Sequence, residues 1–168
     1  MIPEINYPDS NYFIYDQYGD NRMTPVGPCG IIAAKGSLEF SDRVNYYLCQ
    51  RRLEYREKDP YHGTDSPGFY RKDYRISVDT LRFSSGEGKA VIKQTTRGHD
   101  IFILADVLNH SVTYKFFNKT NYMSPDDHFQ DIKRIILAIS GKARRVNVIM
   151  PFLYESRQHR RNSRESLD

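Results

Sequence analysis

Residues 124–151 read SPDDHFQDIKRIILAISGKARRVNVIMP, a capped helix and then a strand. Ser124 suits the N-cap, Pro125 the first helical position, and Asp127 closes a Ser-x-x-Asp capping box. Phe129, Ile132, Ile135, Ile136 and Ile139 recur at helical spacing as one apolar stripe, and Gln130, Asp131, Lys133 and Arg134 are expected to face water. Gly141 ends the helix. Val146, Val148, Ile149 and Met150 then make a short apolar run suited to a buried strand, closed by Pro151, which has no N–H for a sheet ladder. Upstream, Ile101–Leu104 is another strand. Strand, helix, strand at this spacing is a right-handed βαβ unit, so an α/β fold with a mainly parallel sheet flanked by helices is expected.

In open α/β sheets ligands bind beyond the carboxyl ends of the strands. Here that region carries Arg157, Gln158, His159, Arg160, Arg161 and Arg164. Guanidinium forks suit phosphate oxygens. A solvated basic tail is the plainer reading of the same residues.

Working back toward the N-terminus, Asp106–Tyr122 is irregular and aromatic, fit for a hairpin-like excursion. Leu81–Ile103 reads LRFSSGEGKAVIKQTTRGHDIFI, with a Gly-containing turn at 83–87 ahead of a strand around Val91–Ile92. Taken alone, Phe83 is more often a core anchor than a ligand contact. Ile31–Ala34 is a short strand. Ser37 is placed to cap a helix reaching about Arg52, and residues 51–58 read as its charged, solvated end. Residues 59–66 (DPYHGTDS) are a loop. Residues 1–28 carry four prolines and read as an arm, leaving 29–168 as one domain.

Composition excludes several classes. The chain has 168 residues, 39% of them hydrophobic and 27% charged, enough for one soluble domain with a core. Cys29 and Cys49 have no metal-ligand spacing and read as reduced thiols of a cytoplasmic protein. No leader or membrane span is read. Asp126, Asp127 and His128 are consecutive on a helix and point apart, which argues against a metal site, and the capping box already accounts for the acids. Half of the net charge of +4 sits in the last dozen residues. Aromatic residues are not interleaved with those arginines, which ranks nucleic acid last among partners.

Two ordered motifs give a more specific reading. Arg82-Phe83-Ser84-Ser85-Gly86-Glu87 and Gln94-Thr95-Thr96-Arg97-Gly98 are followed by Val146–Pro151, Arg157–Arg161 and Ser163–Glu165. In this order they resemble ribose-phosphate diphosphokinases, whose pattern is Arg-Phe-Ser-(Asp/Asn)-Gly/Gln-Glu, Glu-Ser-Val-Arg-Gly, then strand, proline, Arg-Gln-Asp-Arg-Lys and Ser-Arg-Glu. Gly30–Leu48 is similar to the family's first strand, turn and helix. The resemblance runs from about Gly30 to the end, with 51–79 as an insertion.

That resemblance implies a phosphoribosyltransferase-like fold and an enzyme that transfers diphosphate from ATP to ribose 5-phosphate, with Mg²⁺, in nucleotide biosynthesis. It implies an ATP site shared across subunits of a homo-oligomer, with Phe83, Ser85 and Glu87 on one side and Arg157 and Gln158 on the other. Arg97 matches an arginine associated in some members with regulatory phosphate. Ser85, His159, Tyr154 and Glu155 depart from the pattern. The family's ribose-phosphate loop, pyrophosphate loop, magnesium-binding His and basic flexible loop are not in this sequence, so the expectation is an amino-terminal domain that is inactive alone. A silent regulatory relative that assembles with active subunits is the alternative, and a nucleic-acid binder using the Arg-rich tail the third.

Overall fold

The computed structural model describes residues 25–58, 68–157, 160–164 and 166. In chain order the elements are β1 (Cys29–Ala33), a 3₁₀ turn (Lys35–Ser37), α1 (Leu38–Lys58), β2 (Val78–Arg82), β3 (Gly88–Ile92), β4 (Asp100–Leu104), β5 (Thr113–Phe116), β6 (Lys119–Tyr122), α2 (Pro125–Ile139) and β7 (Arg145–Ile149). Three strands form a parallel sheet in the order β1-β4-β7, with Cys29 opposite Asp100 and Asp100 opposite Arg145. β2–β3 and β5–β6 are antiparallel hairpins. Two bonds flanking a bridge at Arg75 (Ile31 N–H to Tyr74 O at 2.8 Å, Ile76 N–H to Ile31 O at 2.7 Å) lay Tyr74–Ile76 along the outer side of β1. This is the expected mixed α/β fold.

The apolar stripe of α2 explains one face of the sheet. Ile132, Ile135 and Ile139 are buried with Ile32, Ile101 and Ile103 of β1 and β4. Each such side chain removed from water contributes about 1.5–3 kcal/mol. The capping box forms as the sequence predicts, with Ser124 and Asp127 each satisfying the other's backbone N–H. At the other end Ser140 itself takes the left-handed conformation (φ 56°), and Gly141 follows in the same region (φ 63°). On the opposite face Cys29, Ile31, Leu104 and Tyr74 are buried against Val44 and Leu48 of α1. Beyond α1 an open groove of about 610 Å³ remains, walled by residues that include Phe102, Leu104, Ile149 and Arg52.

Five details differ from the sequence reading. Asp131 does not face water: it is buried, 2% exposed, although it lies on the polar side of the helical repeat. Ile136 of the apolar stripe is instead 40% exposed. Val146, Val148 and Ile149, expected in the core, are 36%, 39% and 41% exposed, because β7 pairs with β4 on one side and ends the sheet on the other. Ser37 does not cap α1; it closes the 3₁₀ turn, and its hydroxyl accepts the Asp106 N–H at 2.7 Å. α1 itself runs past Arg52 to Lys58.

Of the segment read as an insertion, residues 59–67 lie outside the described residues, and Tyr74 and Ile76 of the remainder join the core. Tyr74 is fully buried, its hydroxyl donating to Phe69 O at 2.7 Å and its N–H to Asn45 Oδ1 at 2.9 Å. Arg52 stacks over Phe69 and Tyr74, 4.1 and 4.6 Å from the ring centres. Of the arm, residues 1–24 lie outside the described residues. No helix among the described residues is long and apolar enough to cross a membrane.

Candidate functional site

β2 and β3 read as a hairpin because Val78, Thr80 and Arg82 alternate with Asp79 and Leu81, and Gly86 allows the reversal. Gly86 needs that freedom: its φ is 90°, and a Cβ there would press on the Phe116 ring at 2.9 Å. The turn is stiffened from within. Phe83 N–H donates to Glu87 O at 2.8 Å, Gly86 N–H to Phe83 O at 2.9 Å, and Ser85 Oγ to Glu87 Oε2 at 2.9 Å. Phe83 is 51% exposed, so it is not a core anchor of this domain.

The turn is also held from outside. Arg82 Nη2 donates to Asp127 O at 3.2 Å and lies 3.1 Å from Asp131 Oδ1 of α2. From the opposite side Phe117 N–H donates to Ser84 O at 3.4 Å, which joins the β5–β6 hairpin to the turn. The turn therefore sits beside the first turns of α2. That helix end lies at the carboxyl edge of the parallel sheet.

The segment after β7 comes back to the same helix end. The Tyr154 hydroxyl donates to Asp126, and its ring meets Phe129 edge-on at 5.4 Å. The Asp126 carboxylate pushes the Tyr154 phenol up to about 12. The chain turns next through Glu155 in the left-handed region (φ 64°) and reaches the exposed Arg157. Gln158 and His159 lie outside the described residues. Both stretches that carry the predicted ATP-side residues are thus tied to α2 within the Asp126–Asp131 stretch. The exposed aromatic ring of Phe83 and the exposed guanidinium of Arg157 suit a ligand with a flat apolar base and anionic oxygens.

Arg97 is placed elsewhere. It precedes β4 at the amino end of the sheet, where Gly98 (φ 72°) donates its N–H to Lys142 O at 3.0 Å and the His99 ring donates to Arg97 O at 3.1 Å. The turn 83–87 and Arg97 therefore belong to opposite ends of the sheet.

Asp126, Asp127 and His128 do not fit a metal ion. Asp126 receives Tyr154, Asp127 closes the helix cap, and His128 is buried with Nε2 donating to Asn109 O at 2.8 Å. Among the described residues no group of three or more His, Cys, Asp or Glu side chains is placed to hold one.

Sequence reasoning missed Arg82 and Asp131 as partners. Residue type marks both as surface groups, and the signal that could have found them is Arg82's place directly before the turn.

Comparison with curated proteins found no match. The family model of the N-terminal domain of ribose phosphate pyrophosphokinase matches residues 31–168, from within β1 through every later element. The chain therefore belongs to the family of N-terminal domains of ribose phosphate pyrophosphokinase.

Proposed function

We propose that this domain forms the ATP-binding and subunit-contact side of a ribose-phosphate diphosphokinase. The reaction transfers diphosphate from ATP to ribose 5-phosphate: the anomeric oxygen bonds to the β-phosphorus, the bridge to the α-phosphate breaks, and AMP leaves. Phe83 stacks on adenine, and Ser85 and Glu87 bond its edge. Arg157 and Gln158 hold the nucleotide from a neighbouring copy in a homo-oligomer. Mg²⁺ would arrive with ATP and neutralise charge on its phosphates. Arg97, at the other end of the sheet, takes regulatory phosphate. Two free thiols support placing the protein in the cytoplasm.

One observation carries the reading. The half-exposed Phe83 stands on a turn fixed by its own hydrogen bonds and by Arg82 on α2, so its ring is held outward, as contact with a nucleotide at a neighbouring copy requires. Ligand positioning of this kind is worth more to catalysis than any single contact. Calorimetric titration with ATP tests it. Phe83→Ala and Arg157→Ala are each expected to weaken binding about tenfold, as loss of a stacking or charge-assisted contact does. Unchanged affinity in both variants would sink the reading.

A further inference from the structure

Asp131 meets two guanidinium groups inside the protein. Arg82 Nη2 lies 3.1 Å from its Oδ1 and Arg134 Nη1 2.7 Å, with side-chain exposures of 3% for Asp131 and 6% for Arg82. Arg82 is the last residue of β2 and the neighbour of Phe83. Its guanidinium also lies over the Tyr114 ring at 5.3 Å. The Arg134 guanidinium occupies the space that any side chain at Gly88, the first residue of β3, would need. Both feet of the turn are thus registered against one carboxylate. A buried guanidinium without its counter-charge is strongly disfavoured, so Arg82 relies on the Asp131 carboxylate at 3.1 Å, with that of Asp127 farther off at 3.7 Å.

We infer that Asp131 is a positioning residue for the turn 83–87: through Arg82 and Arg134 it sets the direction in which Phe83, Ser85 and Glu87 project. The functional meaning rests on the ATP reading above; the geometry does not. An ion cluster that merely stabilises the domain would protect all strands alike. One that positions the turn protects the turn first.

Hydrogen exchange of the full chain, read by mass spectrometry, separates these. In Asp131→Asn, exchange over Phe83–Glu87 is expected to rise about tenfold or more while β1, β4 and β7 keep their protection. No change in the turn, or an equal rise everywhere, would overturn the inference. The paired variant Arg82→Met with Asp131→Leu removes the deeply buried pair and leaves only the more exposed Arg134 without its partner, so it covers the case in which the single variant does not fold. A loosened turn is expected there too; a wild-type turn would show that apolar packing suffices and overturn the inference. The chain has no tryptophan, so Phe83→Trp places one reporter on the turn. ATP titrated against it is expected to bind about tenfold more weakly when Asp131→Asn is added. A loosened turn with unchanged ATP affinity would sink the ATP reading and leave the positioning role standing. An unchanged turn would sink the positioning role, whatever ATP does.

Discussion

Asp100 and Arg145 open neighbouring strands and grip each other across the sheet. Arg145 Nε donates to Asp100 Oδ1 at 2.8 Å and Nη2 to Oδ2 at 2.6 Å, in the register that pairs the two residues. Asn147 adds a third donor to Oδ1 at 2.9 Å. Hydrogen bonding from Arg145 first, and from Asn147 after it, holds the Asp100 carboxyl below its ordinary range.

The pH consequence has a definite sign. A carboxyl held below the unfolded value of about 3.9 stabilises the fold above that pH and loses this contribution as pH falls through its folded value. Asp100→Asn is expected to lower stability by about 0.5–1 kcal/mol near neutrality, a modest figure because Arg145 is half exposed to solvent. Urea midpoints of wild type and variant should converge below about pH 4. A gap that stayed constant down to pH 2 would show that the charge plays no part.

The helix cap predicts unequal losses at two positions. Ser124→Ala removes one satisfied donor of α2 and is expected to cost about 1 kcal/mol. Asp127→Ala removes its half of the capping box and also a carboxylate 3.7 Å from the buried Arg82, so the larger loss is expected there. Thermal melts of the two variants decide the order.

Both thiols should be slow nucleophiles. Burial pushes Cys29 and Cys49 above the ordinary thiol value, and only the thiolate attacks. Titration with a disulfide reagent at pH 7 is expected to label the partly exposed Cys49 before the buried Cys29, and both only slowly until urea is added. Immediate labelling of Cys29 in the native protein would contradict its place in β1.

On the function proposed above, the chain by itself is expected to form no AMP from ATP, ribose 5-phosphate and Mg²⁺, since this domain supplies only the ATP-binding side of the site. Chromatography of the nucleotide pool tests this. AMP together with phosphoribosyl pyrophosphate would show that these residues suffice.

Much of this architecture was legible in advance, for identifiable reasons. The α2 cap and its isoleucine spacing are local patterns, and a strand–helix–strand run admits few topologies, so the βαβ unit could be read directly. Asp131 could not. Helical periodicity sorts residues by type, and a carboxylate counts as outward unless its counter-ions are known; those come from Arg82, distant in sequence, and from Arg134. The exposure of β7 was hidden for a different reason. VNVI looks the same in a central strand and in an edge strand, and only the neighbour count tells them apart. At the candidate site, the Phe83 turn and the Arg157 segment were both readable as motifs. Their common mooring on α2 depends on Tyr154 and Arg82, whose partners on the helix no local pattern announces.

The order of pairing in the sheet has a consequence for synthesis of the chain. Every residue of β1 is buried in the finished domain, and β1 emerges from the ribosome first of the three parallel strands. Its partner β4 follows only after α1 and the β2–β3 hairpin have been made, a wait of several seconds at about 5–20 residues per second. During that interval Cys29–Ala33 is an apolar strand with no sheet to join. β4 then finds β1 already made, whereas β7 follows only after the β5–β6 hairpin and α2. The edge strand β7 is therefore the last of the three to find its place.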